Sequence, residues 1–95
     1  MSEKNFGAVR DNPARSRFEL EIDGAIALAE YRVDDGVMTF FHTETPPALQ
    51  GRGAASKLIH EALLTARERG LKVRATCSFV IAYLKRHPEF ADLAG

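Results

Sequence analysis

The chain has little of what disulfide frameworks, metal centres and membrane spans require. Its single cysteine cannot form an internal disulfide, which favours a reducing, cytoplasmic location. Cysteine and histidine residues do not cluster at metal-ligand spacing, so we expect no bound metal. No apolar run is long enough for a transmembrane helix, and the polar N-terminus lacks the apolar core of a signal peptide.

An excess of charge of one sign is also lacking. Thirteen basic residues balance thirteen acidic residues, and the net charge is zero. General binding to nucleic acid or to a membrane surface needs a clear basic excess, so we expect neither partner. The 95 residues and the hydrophobic content of 45% predict one small domain with a modest core. We place this domain at residues 17–95 and interpret residues 1–16 as a loose, partly extended N-terminal segment.

The first half of the domain has the pattern of three strands. Residues 17–22 alternate polar and apolar side chains, which predicts a half-buried strand. The Asp-Gly pair at 23–24 is a strong hairpin signal and leads into a strand over residues 25–33. A second turn at 34–36 leads into a third strand at 37–43.

The third strand carries apolar residues on both faces, which predicts a central strand covered from both sides. Strict alternation places His42 on the same face as Met38, Phe40 and Glu44.

The second half of the domain alternates helix and strand. An apolar stripe predicts a helix over residues 53–69, and Gly70 is well placed to end it. A short strand at 71–76 and a helix at 79–87 follow, and Pro88 ends that helix. The predicted order is β-β-β-α-β-α, which is an α/β (α+β) fold. It consists of an antiparallel meander, a crossover helix, a parallel strand and a C-terminal helix.

The loop before the first helix is the most informative stretch of the sequence. It is rich in glycine and alanine, so the backbone can approach a ligand closely. The free N–H groups of the first helical turn, together with the helix dipole, would then face that ligand. A pyrophosphate suits this arrangement, because basic and hydroxyl side chains add charge and a donor. The candidate pyrophosphate-binding residues are Gln50, Gly51, Arg52, Gly53, Ala54, Ala55, Ser56 and Lys57.

The spacing in this loop excludes two common phosphate motifs. The P-loop pattern G-x-x-x-x-G-K-[ST] is absent. The dinucleotide fingerprint fails because Ser56 stands where a third Gly or Ala is needed, and no acidic residue follows at the required distance. The pattern that remains is Q-x-x-G-x-A, formed by Gln50, Gly53 and Ala55.

This motif, between a strand and a helix, resembles the acyl-CoA pyrophosphate loop of the GNAT N-acetyltransferase superfamily. Three blocks together resemble its minimal single-domain branch: residues 42–44 with the prolines that follow, residues 50–55, and residues 77–90. The resemblance covers residues 17–93 and implies a GNAT-like fold with acetyl-CoA as co-substrate. It implies that the pantetheine arm lies where the third and fourth strands splay, bonded to backbone groups near Phe41 and Thr43.

The same resemblance, combined with side-chain chemistry, gives four candidate catalytic residues. Cys77 is either a small buried residue or a thiol activated by the following helix N-terminus. His42 is either structural or a base for the incoming amine, and Glu44 is the alternative base. Tyr83 either packs in the core or, as the resemblance implies, protonates the leaving CoA thiolate.

We therefore expect acetyl transfer from acetyl-CoA to an unidentified amine, on a small molecule or a protein. The alternative is a non-catalytic acyl-CoA-binding module or sensor, since the N-terminal helices that build the acceptor pocket of larger superfamily members are lacking. One thinly covered sheet edge leaves either a monomer or a weak dimer as the expected state.

Overall fold

The structure, a computed structural model, describes residues 8–95. Within that range the chain forms a five-stranded sheet, two α-helices and two short 3-10 helices. The elements in chain order are β1 (Arg10–Asn12), β2 (Arg17–Ile22), β3 (Ala25–Asp34), β4 (Val37–Glu44), a 3-10 helix (Pro47–Leu49), α1 (Ala54–Glu68), β5 (Lys72–Ala75), α2 (Ser78–Arg86) and a second 3-10 helix (Pro88–Leu93).

The sheet has the strand order β1-β2-β3-β4-β5. The first four strands are antiparallel to their neighbours, and β5 runs parallel to β4 after the α1 crossover. This arrangement confirms the predicted α/β fold. It also confirms the hairpin at Asp23 and Gly24, whose φ angles of 53° and 83° suit a tight turn that follows the twist of the strands.

The core lies between one face of the sheet and the two helices. α1 buries the apolar stripe that the sequence predicted, including Leu58, Ile59 and Leu63. On the facing sheet, Phe18, Tyr31 and Phe40 form an aromatic cluster with ring centroids 5.2 to 6.4 Å apart. These side chains and those of α2 belong to one continuous core, so both helices are fixed relative to the sheet.

Strand β1 lies within the segment that the sequence analysis interpreted as loose and partly extended. Its three residues pair with β2, and Asp11 ties it to more distant parts of the chain. The Tyr31 hydroxyl donates a hydrogen bond to Asp11 at 2.5 Å, and Arg69 forms an ion pair with the same carboxylate at 2.8 Å. The rest of that prediction, residues 1–7, falls outside the described range.

A β-bulge in β4 corrects two of the predictions for this strand. Phe40 pairs with Tyr31 and His42 pairs with Glu30, so Phe41 is the extra residue. The bulge moves His42 to the face opposite Met38 and Phe40, and the prediction that all three share a face is wrong. The prediction that β4 is covered on both sides is also wrong for its C-terminal half, because Phe41 is 39% exposed.

Candidate functional site

Strands β4 and β5 separate at one end, and this separation creates the candidate site. Their pairing runs only from Val37 to Phe40 on the β4 side. The Phe40 carbonyl accepts the last hydrogen bonds, from the N–H groups of Thr76 at 3.0 Å and Cys77 at 3.4 Å. Beyond that point β4 continues along β3 only, while the segment after β5 leads into α2. A cleft therefore opens between the end of β4 and the start of α2.

The predicted pyrophosphate loop lies beside this cleft and leads directly into α1. Gly51 and Gly53 have φ angles of 77° and 80°, which residues with a side chain rarely adopt. A Cβ atom placed on either glycine would meet no protein atom within 4 Å, so the space in front of both is open. Because no side chain caps the first turn of α1, its N–H groups face this space.

A cavity of about 330 Å³ occupies that space. Six loop residues line it, at positions 50, 51 and 53–56, whereas Arg52 and Lys57 do not. Three residues that the sequence analysis did not assign also line it, namely Thr45, Leu49 and Phe79. Phe79 comes from the first turn of α2 and is 36% exposed. The sequence signal available for it was an aromatic residue at the start of the helix predicted over residues 79–87.

Two of the candidate ligand side chains brace the loop. Gln50 Nε2 donates a hydrogen bond to the Thr45 carbonyl at 2.9 Å, which closes the loop onto the end of β4. The Arg52 guanidinium contacts the Ala48 carbonyl at 3.4 Å. Ser56 is exposed and Lys57 half-buried. The loop therefore offers backbone donors that are held in position by its own side chains.

Cys77 and Thr43 face each other across the mouth of the cleft. Thr43 Oγ1 lies 3.5 Å from Cys77 Sγ, and Cys77 is the N-cap residue of α2. Burial, the largest influence, raises the pKa of the Cys77 thiol, but the contacts with Thr43 and with the backbone N–H groups of Val80 and Phe79 outweigh it. These N–H groups face the sulfur without forming a capping hydrogen bond, and they favour the thiolate. The net result is a pKa below that of an ordinary cysteine, as expected at a helix N-terminus.

His42 and Glu44 lie together on the open face of the sheet. His42 Nε2 is 2.9 Å from Glu44 Oε2, and their side chains are 47% and 62% exposed. Thr43, between them in the sequence, pairs with Ala29 and therefore points to the core side. The end of β4 thus presents an imidazole–carboxylate pair on one face and the Thr43–Cys77 contact on the other.

Tyr83 is surrounded by a different group of side chains. Its hydroxyl is 3.3 Å from His60 Nδ1 on α1, and its ring stacks on His87 at a centroid distance of 3.8 Å. Burial, aided by the negative charge of Glu89, raises the pKa of the Tyr83 hydroxyl. Nothing in the spacing of the sequence pointed to His60, because it is 23 residues away and on another helix.

Comparison with known proteins identifies the family to which the chain belongs. Residues 17–93 match the family model described as GCN5-related N-acetyl-transferase. The chain belongs to the GCN5-related N-acetyltransferase family.

Curated relatives and a solved structure agree with this assignment. Protein NATD1 of Mus musculus and of Homo sapiens are each 34% identical over 84 residues, which cover 84% of this chain and 76% and 74% of those proteins. Protein NATD1 of Danio rerio is 31% identical over 90 residues, covering 88% of this chain and 81% of that protein. The NMR structure of a GCN5-like candidate N-acetyltransferase from Staphylococcus aureus matches with a TM-score of 0.68 and 28% identity, covering 93% of this chain and 87% of that one.

Between residues 8 and 95, no three His, Cys, Asp or Glu side chains are grouped to hold a metal ion. None of the helices in the same range is long and apolar enough to cross a membrane.

Proposed function

We propose that this chain binds acetyl-CoA and transfers its acetyl group to a primary amine. The observation that carries the proposal is the open cavity at the α1 N-terminus, bordered by positive-φ glycines and continuous in sequence with the splayed end of β4. Backbone N–H groups of residues 54–56 would bind the diphosphate, with Lys57 adding positive charge. The pantetheine arm would follow the unpaired edge of β4 past Phe41 and Thr43.

The two faces of β4 support separate roles in the transfer. The amine would approach from the open face, where the His42–Glu44 pair removes its proton. Its neutral nitrogen then attacks the thioester carbonyl carbon and a tetrahedral intermediate forms. The carbon–sulfur bond breaks as the nitrogen loses its second proton, which ends on the departing CoA thiolate. The CoA thiolate leaves toward the core side, beside Thr43 and Cys77. The proposed base and the group beside the leaving thiolate therefore lie on opposite faces of β4.

Cys77 has two chemically distinct roles open to it. In direct transfer its thiol protonates the departing CoA thiolate, as Tyr83 would in the other assignment. In covalent transfer the Cys77 thiolate attacks the thioester, CoA leaves, and the amine then takes the acetyl group from Cys77. The lowered pKa of this thiol supports the second role, because the thiolate is the nucleophile.

Mass spectrometry of the intact chain tests the transfer. The chain is incubated with acetyl-CoA, with and without a lysine-containing peptide, and free CoA thiol is measured in parallel. We expect CoA release that depends on the amine. An acetyl adduct that is absent in Cys77→Ala identifies the covalent route, whereas unchanged turnover in that variant removes Cys77 from both roles. Binding of acetyl-CoA without CoA release from any amine tested would identify the chain as a non-catalytic acyl-CoA-binding module.

A further inference from the structure

A second concave surface lies on the other side of β5, away from the cleft. It is a groove of about 310 Å³ between the outer edge of β5, α2 and the second 3-10 helix, and we name it the β5-edge groove. Its walls are mostly apolar and include Ala75, Ile81, Leu84 and Phe90. Ile81 is 38% exposed, which makes it one of the large apolar side chains that the fold leaves in contact with solvent.

The backbone of β5 offers unpaired hydrogen-bonding groups to this groove. The backbone N–H groups of Lys72 and Thr76 donate toward β4. The backbone N–H and C=O groups of Val73 and Ala75 therefore point away from β4, toward the outer edge. The outward backbone groups of Val73 pair with the C-terminal residues, through a bridge to Ala94 and a hydrogen bond from the Gly95 N–H at 3.2 Å. Those of Ala75, its N–H and its C=O, have no backbone partner within residues 8–95. The C-terminal residues thus pair with β5 at Val73, and this pairing does not extend to Ala75.

The charges around the groove indicate what would fill it. Among residues 8–95, Arg74 and Lys85 are the ionisable residues that line it, and both are exposed. A second copy of the same groove would bring these like charges together, which disfavours self-association through this edge. A negatively charged, partly apolar segment would complement both the cations and the walls.

We propose that the β5-edge groove binds an extended, acidic segment of a partner protein as an additional strand. The backbone of that segment pairs with Ala75, and an apolar side chain enters between Ile81 and Leu84. A carboxylate on the next residue points to the opposite face of the sheet and meets Arg74, and one two residues along points to the same face and meets Lys85. The surface is separate from the cavity beside the phosphate loop, so it does not depend on acetyl-CoA.

Selection from a random peptide library on the immobilised chain tests this proposal. The expected consensus is an apolar residue flanked by Asp or Glu. The enriched peptide is then titrated into the isotope-labelled chain, where the Ala75 amide should shift and exchange its hydrogen at least about tenfold more slowly. Lys85→Glu should weaken binding about tenfold, while Arg86→Glu, the same charge change at an exposed neighbour outside the groove, should leave it unchanged.

Several outcomes would overturn the proposal. A selection without an acidic–apolar consensus would do so, as would equal binding by the Lys85→Glu and Arg86→Glu variants. Shifts of the Ala75 amide that depend on chain concentration and appear without peptide would instead identify a second copy as the occupant. Each of these measurements is independent of acetyl transfer, so a negative result would reject the peptide-binding proposal without bearing on the proposed function.

Discussion

Cys77 owes its properties to residues that the fold brings to it from β4 and α2. Thr43 is 34 positions away in the sequence and contacts the sulfur at 3.5 Å. The thiol therefore sits where a strand edge and a helix N-terminus meet, and both favour its ionised form.

The pH dependence of alkylation should report this environment. The thiolate is the reactive form, so a lowered pKa moves the midpoint of the iodoacetamide rate to lower pH than in an unstructured cysteine peptide. Thr43→Val removes an interaction that lowers the pKa, and the midpoint should rise. Thr65→Val, at a threonine whose hydroxyl bonds only within α1 to the Glu61 carbonyl, is the control and should leave it unchanged. A midpoint that Thr43→Val leaves in place would show that this contact does not tune the thiol.

The His42–Glu44 pair gives a second prediction for single residues. If the pair is the base, Glu44→Gln and His42→Gln should each lower kcat by about 10²- to 10⁴-fold. Affinity for acetyl-CoA should stay the same, because both side chains lie on the face opposite the Thr43–Cys77 contact. Glu21→Gln on the same open face is the matched control. Loss of acetyl-CoA affinity in the His42 and Glu44 variants would place the pair in binding rather than in catalysis.

At the scale of elements, strand β4 shows why the sequence predicts a strand but not the face on which each of its side chains lies. Its existence follows from its apolar residues, but the adjacent Phe40 and Phe41 are as compatible with a strand covered on both faces as with the bulge that the structure has. One extra residue then reverses the face of His42, which no local rule predicts. Similarly, all three residues of β1 are polar, and the strand exists because Asp11 meets partners 20 and 58 positions away (residues 31 and 69).

The attachment of β1 has a measurable pH dependence. Burial, followed by the hydrogen bond to Asp11, raises the pKa of Tyr31 to about 12 from an ordinary 10.0. The neutral phenol is therefore favoured by the folded state. The folded state keeps its full stability below about pH 10 and loses roughly 2 to 3 kcal/mol as the pH rises through about 12, because the unfolded tyrosine ionises first.

Denaturant unfolding from pH 8 to 12 tests this attachment in wild type and Tyr31→Phe. The variant should be less stable by about 1 kcal/mol at pH 8, because one hydrogen bond is lost. It should also lose less stability than the wild type between pH 10 and pH 12. Parallel stability curves for the two proteins over that interval would contradict the raised pKa.

At the scale of the whole molecule, the glycine-rich loop before α1 and the fold were accessible from the sequence, because both depend on local patterns. The glycines, the Q-x-x-G-x-A spacing and the helix that follows are contiguous in the chain. The cleft was not accessible in the same way, since its width, the Thr43–Cys77 contact and the position of Phe79 depend on how β4, β5 and α2 pack together. The resemblance to the GNAT superfamily predicted that the strands splay, and the pairing that ends at Phe40 agrees with it.

Calorimetric titration with acetyl-CoA tests the central claim most directly. The test variant is Gly53→Val, and the control is Gly70→Val at the other end of α1. Both glycines have positive φ and open space around them, so the backbone strain is matched. We expect a dissociation constant on the order of micromolar for the wild type and for Gly70→Val, and loss of binding in Gly53→Val. Equal binding by the two variants, or no binding by the wild type at millimolar ligand, would contradict the assignment of this loop to acetyl-CoA.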